Sequence, residues 1–207
     1  PEAVEARNQR LEMLMAEVPG FLHVGHPEAC AAMSRAAQTA GAHVTCGVDQ
    51  LRVLATHPQP ELAFTHQGHE RRIRARLLIG ADGRGSTVRK QLGLTLHETQ
   101  PRTVCAGLLV RHAPQLLDYL AAGTRGDAYY FLFPRDHGVT RLYILWSIEQ
   151  RQRFAGADGA RRFLDTFRNY CFPHAEQMAA AEPIGPCVTY PMNDGYLDSP
   201  LAHNSVL

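Results

Sequence analysis

Leu77-Leu78-Ile79-Gly80-Ala81-Asp82-Gly83-Arg84-Gly85-Ser86-Thr87-Val88-Arg89 is the stretch on which the reading of this sequence turns. Its three leading apolar residues read as the end of a strand buried on both faces. The strand breaks into a turn carrying Gly80, Gly83 and Gly85, where missing side chains let a ligand or another backbone come close. Ser86 is placed to cap a short helix that stops at Gly93. Asp82 then stands at the carboxyl end of the strand, where open α/β sheets bind their ligands. Arg84, Arg89 and Lys90 add positive charge beside a helix N-terminus, a favourable setting for phosphate. The same residues also fit a plain local turn, with Asp82 bonded to nearby backbone and Gly83 at positive φ.

Upstream, Ala29, Ala32, Met33, Ala36, Ala37 and Ala40 recur at helical spacing, with Pro27 in the first turn and Gly41 at the stop. The stripe is made of small residues and predicts a helix buried close against a sheet. Strands are expected at 43–48, 51–56, 61–66 and 71–79, with Gln67-Gly68 turning the third into the fourth. Arg72, Arg74 and Arg76 alternate with apolar residues in the last of these, as on a half-exposed edge. Residues 1–20 read as a polar, helix-compatible lead-in ended by Pro19-Gly20. Downstream, 104–110, 128–133 and 139–147 read as longer strands of an antiparallel sheet. A helix from about Asp158 carries Ala160, Phe163, Leu164, Phe167 and Cys171 on one face. The segment from Glu182 to Leu207, rich in Pro, Gly and Asp, reads as a long connection.

Composition narrows the function classes. The 207 residues are 45% hydrophobic and 20% charged, with net charge +1, so the chain can bury a core as one or two domains. Near-neutral charge gives no electrostatic basis for nucleic acid or an anionic membrane surface. No apolar run approaches the ~20 residues of a membrane helix, and no signal peptide is visible. Five cysteines without a C-x-x-C pair indicate neither a disulfide framework nor a zinc site, and read as reduced thiols of a cytoplasmic protein. His66 and His69 have metal-like spacing but no partners, and are read as decorating a hairpin turn; no metal is expected. Every one of the 21 basic residues except Lys90 is arginine, a bias that fits genome composition better than a binding surface.

The segment from Gly80 to Arg89 resembles the G-A-D-G-x-x-S-x-V-R signature of FAD-dependent monooxygenases of the para-hydroxybenzoate hydroxylase type. The likeness continues through Ala40-Gly41-Ala42-His43-Val44, the hairpin leading into the motif, and the aromatic-Pro step Phe131-Leu132-Phe133-Pro134. It implies a mixed α/β fold: part of a Rossmann-like FAD/NAD(P)-binding domain plus an antiparallel-sheet substrate domain. By the same resemblance, 1–20 is a lead-in on the substrate-domain side and 21–100 is FAD-binding domain. Residues 101–190 become the substrate sheet, and 191–207 return to the FAD-binding domain, cut short.

The resemblance implies cofactor contacts at Gly80, Asp82, Gly83, Ser86 and Arg89. It also implies one at His26, in the His-Pro pair that starts the small-residue helix; a solvated helix cap is the alternative there. FAD, NAD(P)H, O₂ and a small organic substrate, aromatic or polyketide-like, are the implied partners, and the reaction is hydroxylation. The flavin would carry the hard chemistry, which is why no acid–base or nucleophile constellation is required and no catalytic residue is assigned. Tyr129, Phe131, Phe133, Tyr143 and Trp146 are candidate pocket-wall residues, only some of which can share one face.

Two elements of the pattern are absent from the sequence: the G-x-G-x-x-G turn and the second, Gly-Asp flavin motif. The expectation is therefore a central fragment, inactive and without flavin as an isolated polypeptide. Competing readings are a non-catalytic fragment or binding module, and a related flavin-dependent halogenase or reductase. A tryptophan-type halogenase would need a lysine outside any cofactor motif, and Lys90 lies within one.

Overall fold

The computed structural model describes residues 6–9, 24–111, 120–168, 175–202 and 205–206. In chain order these form β1 (Ala6–Gln9), α1 (His26–Thr39), β2 (Val48–Ala55), β3 (Glu61–His66), β4 (His69–Arg74), β5 (Leu78–Ile79), α2 (Thr87–Gln91) and β6 (His97–Glu98). There follow β7 (Thr103–Arg111), β8 (Leu120–Arg125), β9 (Ala128–Pro134), β10 (Val139–Ser147), α3 (Gly159–Asp165) and α4 (Ala175–Ala179). The chain closes with β11 (Glu182–Pro183), β12 (Val188–Met192), β13 (Gly195–Tyr196), β14 (Leu201–Ala202) and β15 (Ser205–Val206). The fold is mixed α/β, rich in strands with few helices, and divides into two compact units. One comprises Pro1–Ala31 and Gln100–Asn193, the other Ala32–Thr99 and Asp194–Leu207.

The first unit is built on an antiparallel sheet ordered β1-β8-β9-β10-β7-β11, with β12 also paired to β7. Strict alternation along β10 buries Thr140, Leu142, Ile144 and Trp146 and leaves their neighbours half-buried. Registered beside them lie Val104, Ala106, Leu108 and Val110 of β7 and Tyr130 and Leu132 of β9, with Ala128 in the same cluster. Onto this face pack Phe154, Phe163, Leu164, Phe167 and Met178. Edge-to-face contacts run Trp146–Phe154 (5.0 Å), Phe154–Phe163 (5.2 Å) and Tyr130–Phe167 (5.5 Å), the arrangement favoured by aromatic quadrupoles. Trp146 also donates its indole N–H to the Gln150 carbonyl at 2.9 Å.

The second unit holds three small sheets. β2-β3-β4 is an antiparallel meander, β6 pairs with β13, and β15 joins β14 and β5, the last in parallel register. Gln91 of α2 ties the helix to β2, accepting from the Val53 N–H and donating to the Leu51 carbonyl, each at 2.7 Å. Its buried residues are few: Ala63, Phe64, Leu78 and Val88 among them.

Several expectations are corrected. The strand expected at 71–79 is two strands in different sheets: Ala75 N–H bonds the Pro60 carbonyl, ending the ladder with β3, and the chain then crosses to pair with β15. Leu78 is buried, but Leu77 and Ile79 are exposed, because β5 belongs to a narrow three-stranded sheet. Residues 43–47 are not a strand; pairing begins at Val48, after Gly47 at φ 67°. The stripe on α1 is not buried: the helix has no buried residue and Met33 is 65% exposed. Residues 6–9 of the helix-compatible lead-in are a strand paired to β8. The helix from Asp158 ends at Asp165; the expected continuation through Cys171 to Pro173 lies outside the described residues. The supposed connection after Glu182 contains five short strands, and Pro191 is tolerated in β12 because that strand sits at a sheet margin.

Candidate functional site

Around the Asp-Gly motif, sequence and geometry agree closely on local structure. Gly80 donates its N–H to the Val206 carbonyl at 2.8 Å, which fixes the loop at the end of the parallel pair. The chain turns at Gly83 (φ 79°), a conformation open to glycine, and Ser86 N–H closes on the Gly83 carbonyl at 3.0 Å. Ser86 caps α2, its Oγ accepting from the Arg89 N–H at 2.9 Å. The Asp82 carboxylate accepts from the Ser86 hydroxyl (2.5 Å), the Thr87 N–H (2.6 Å) and the Val88 N–H (3.2 Å). Burial pushes this carboxyl upward, but the Ser86 hydroxyl and the Val88 and Thr87 N–H groups outweigh it and hold the group below its ordinary value. Asp82 is thus an ionised brace inside the loop, as the plain local-turn reading has it.

The cations do not converge on one point. Arg89 is half-buried and donates to the Leu94 carbonyl at 3.3 Å, closing the helix end, and Arg84 lies 3.5 Å from Glu98. The outer side of the loop is open: a Cβ at Gly83 or Gly85 would meet nothing within 4 Å. The backbone from Gly83 to Gly85 is therefore open to close approach, while the N–H groups of Thr87 and Val88 at the start of α2 are taken by Asp82, which holds the loop's shape from within.

The second unit brings together Gly80, Asp82, Gly83, Ser86 and Arg89; His26 belongs to the first. His26 is the exposed first residue of α1, its ring 3.7 Å from Cys30 Sγ. Two residues on, Glu28 pairs with Arg135 at 3.3 Å, which fastens the start of α1 to the end of β9. His66 and His69 are register partners across the Gln67-Gly68 turn. No cluster of three metal-ligating side chains occurs among the described residues.

The open face of the first unit's sheet is aromatic. Tyr129, Phe131 and Phe133 of β9 and Tyr143 of β10 share it, with Arg141 and Leu145. Phe131 and Phe133 stack at 6.2 Å, Phe133 meets Tyr143 edge-on at 5.8 Å, and the Arg141 guanidinium lies 6.0 Å from the Tyr143 ring centre. Trp146 is not a wall of this surface: it points to the opposite side and is 1% exposed.

Sequence reasoning missed Tyr190 and Cys105, which face each other across β12 and β7. The Cys105 thiol hydrogen-bonded to Tyr190 raises that phenol above its ordinary value, and burial adds to the effect. Burial raises Cys105 too, partly offset by the Tyr190 bond. The alternation of Val188, Tyr190 and Met192 was the available signal, obscured by the surrounding prolines. On the other side of the sheet a cavity of about 930 Å³ is bounded by Val104, Ile148, Phe154, Cys187 and Thr189, and Arg151 is its one charged lining residue.

Residues 2–181 match the protein family described as FAD binding domain. The chain belongs to that family. Within this FAD-binding family, an FAD-dependent monooxygenase, ankC of Aspergillus thermomutatus, is 35% identical over 80 residues, covering 37% of this chain and 14% of that protein. Two solved structures share the fold. The anhydrotetracycline hydroxylase OxyS from Streptomyces rimosus superposes with a TM-score of 0.64 at 18% identity, over 92% of this chain and 37% of its own. Aklavinone-11 hydroxylase, solved with FAD and aklavinone, gives 0.69 at 14% identity over 90% and 36%. The chain therefore spans little more than a third of those structures and a smaller share of the curated relative.

Proposed function

We propose that this chain is the central part of a single-component, NAD(P)H-dependent flavoprotein monooxygenase that hydroxylates an aromatic or polyketide-like molecule. The observation that carries this reading is the aromatic face of the antiparallel sheet, present in a chain of the FAD-binding family. Residues 21–100 and 191–207 serve as FAD-binding domain and 101–190 as substrate domain. The loop from Gly80 to Gly85 receives the cofactor's phosphates along its backbone; Asp82 and Ser86 hold the loop and Arg89 adds a contact beside it, while His26 serves as a separate cofactor contact on its own unit. Bound FAD supplies the redox chemistry with O₂. The chain's own task is to orient the substrate's ring on the aromatic face and to keep water from it. The two flavin-contacting motifs absent from these residues would come from sequence outside them. A cytoplasmic setting agrees with the free thiols of Cys30, Cys46, Cys105 and Cys187.

The FAD-dependent monooxygenase that is 35% identical over 80 residues supports this class over a halogenase. The test uses the protein translated from the complete reading frame, loaded with FAD and given a polycyclic phenol, NAD(P)H and ¹⁸O₂. Label in a hydroxylated product, formed at the same rate with and without halide, is the expected result. A flavin-loaded protein that incorporates no label, or that attaches halogen instead, overturns the proposal.

A further inference from the structure

We propose that Gly107 determines ring-shape selectivity on the aromatic face, because its missing side chain lets Tyr143 form a low floor for a planar, fused-ring phenol. This rests on the reading that the organic substrate lies on that face. Gly107 stands in the middle of β7, in register with Tyr143 of β10, which is in turn opposite Phe131 of β9. The Tyr143 ring leans over the glycine: a Cβ built there would lie 2.8 Å from its Cε1 and 3.1 Å from its Cδ1. Both atoms belong to one rigid ring, so they cannot yield separately. A methyl group at this position has to swing the whole ring away from the sheet, into the space above the face.

The height of the Tyr143 ring matters because its neighbours are rings too. Phe133 meets it edge-on at 5.8 Å with the two planes 76° apart, and Phe131 stacks with Phe133, so these two rings stand as a half-buried wall beside the Tyr143 floor. A flat fused-ring molecule gains dispersion and quadrupole contacts by lying flush on the Tyr143 floor with its side against that wall, whereas a puckered saturated one touches only in places. The Arg141 guanidinium, 6.0 Å from the Tyr143 ring centre, gives the floor a cation, which suits an acidic phenolic oxygen at the edge of the ring system. Raising Tyr143 closes the angle between floor and wall to the planar molecule and changes little for the puckered one.

The test compares 1-hydroxyanthraquinone with a saturated perhydroanthracenol on the FAD-loaded protein translated from the complete reading frame, carrying isotope-labelled tyrosine rings. The Tyr143 signal is identified by its loss in Tyr143→Phe. In the native chain the planar probe is expected to shift the Tyr143 signal and to bind at least tenfold more tightly than the saturated one. Tyr143→Phe, which keeps the ring, retains that preference. Gly107→Ala reduces it to within twofold. Gly107→Ala combined with Tyr143→Ser removes the clash and the floor together, so it keeps the fold and also lacks the preference. A preference of tenfold or more surviving in Gly107→Ala, or in the double variant if the single one does not fold, overturns the proposal while leaving the substrate face in place. If the planar probe leaves Tyr143 unshifted and instead shields Cys187 in the cavity on the other side of the sheet, the placement of the substrate fails as well.

Discussion

Replacing Asp82 with alanine should loosen residues 86–93 and leave the antiparallel sheet untouched. Of the groups its carboxylate holds, the Thr87 N–H is exposed and can turn to water. Ser86 keeps its bond from the Arg89 N–H. Val88 is only 4% exposed, so its N–H is the donor left without a ready substitute. Stranding one such donor costs about 1–3 kcal/mol. Removing a negative charge from the start of a helix adds roughly 0.3–1 kcal/mol. The total of about 1.3–4 kcal/mol corresponds to a ~10–700-fold rise in local opening, at about 1.4 kcal/mol per factor of ten.

Hydrogen–deuterium exchange is the appropriate assay. The one tryptophan, Trp146, lies in the first unit, so its fluorescence reports on the wrong part of the chain. Peptides covering 86–93 should exchange faster by that factor, with peptides over 139–147 unchanged. The dependence on pH has a definite sign. The folded carboxyl titrates below its ordinary value, so its stabilisation is complete above the usual aspartate pKa of ~4 and is lost as pH falls through the lower folded value. The difference between the native chain and Asp82→Asn should therefore be present at neutral pH and shrink in acid. A change under twofold at 86–93 in Asp82→Ala, or an equal change over 139–147, would refute the assignment of Asp82 as the brace of this loop.

Two further outcomes separate core from surface. Trp146→Ala should cost about 3–5 kcal/mol in denaturant unfolding followed by circular dichroism, since a fully buried ring and its bond to the Gln150 carbonyl are both lost. Tyr129→Ala, at a residue 53% exposed, should cost under about 1 kcal/mol in the same assay; equal losses would contradict the assignment of faces. Thiol alkylation at pH 8 should modify the exposed Cys30 and Cys46 first. Burial pushes the Cys187 thiol up to about 11, leaving about 0.1% thiolate at that pH, and Cys105 is raised and buried as well. Labelling of Cys187 as fast as Cys30, read by peptide mass spectrometry, would count against the packing around it.

What was legible in the sequence was local. Glu61–His66 and Val139–Ser147 are strands with the expected bounds, because alternation and turn residues act over a few positions. The cap at Ser86 and the positive φ of Gly83 were equally accessible, being consequences of neighbouring residues. The pairing of β5 with β15 and of β12 with β7 joins segments far apart in the chain, and short runs such as Leu78–Ile79 carry no mark of their partner. The small-residue stripe of α1 shows the converse limit: periodicity identified the helix but could not say that the stripe stays exposed.

The open sheet makes the same division at a single strand. Alternation along β10 dictates that Tyr143 and Trp146 point to opposite faces, and the sequence alone establishes that much. Nothing in the strand says which face is covered. That was decided when Phe154, Phe163 and Phe167 packed beneath Trp146, because burying those rings together removes the most apolar surface from water. The face carrying Tyr143, Phe131, Phe133 and Arg141 was thereby left open, and that surface is the one the proposed substrate uses.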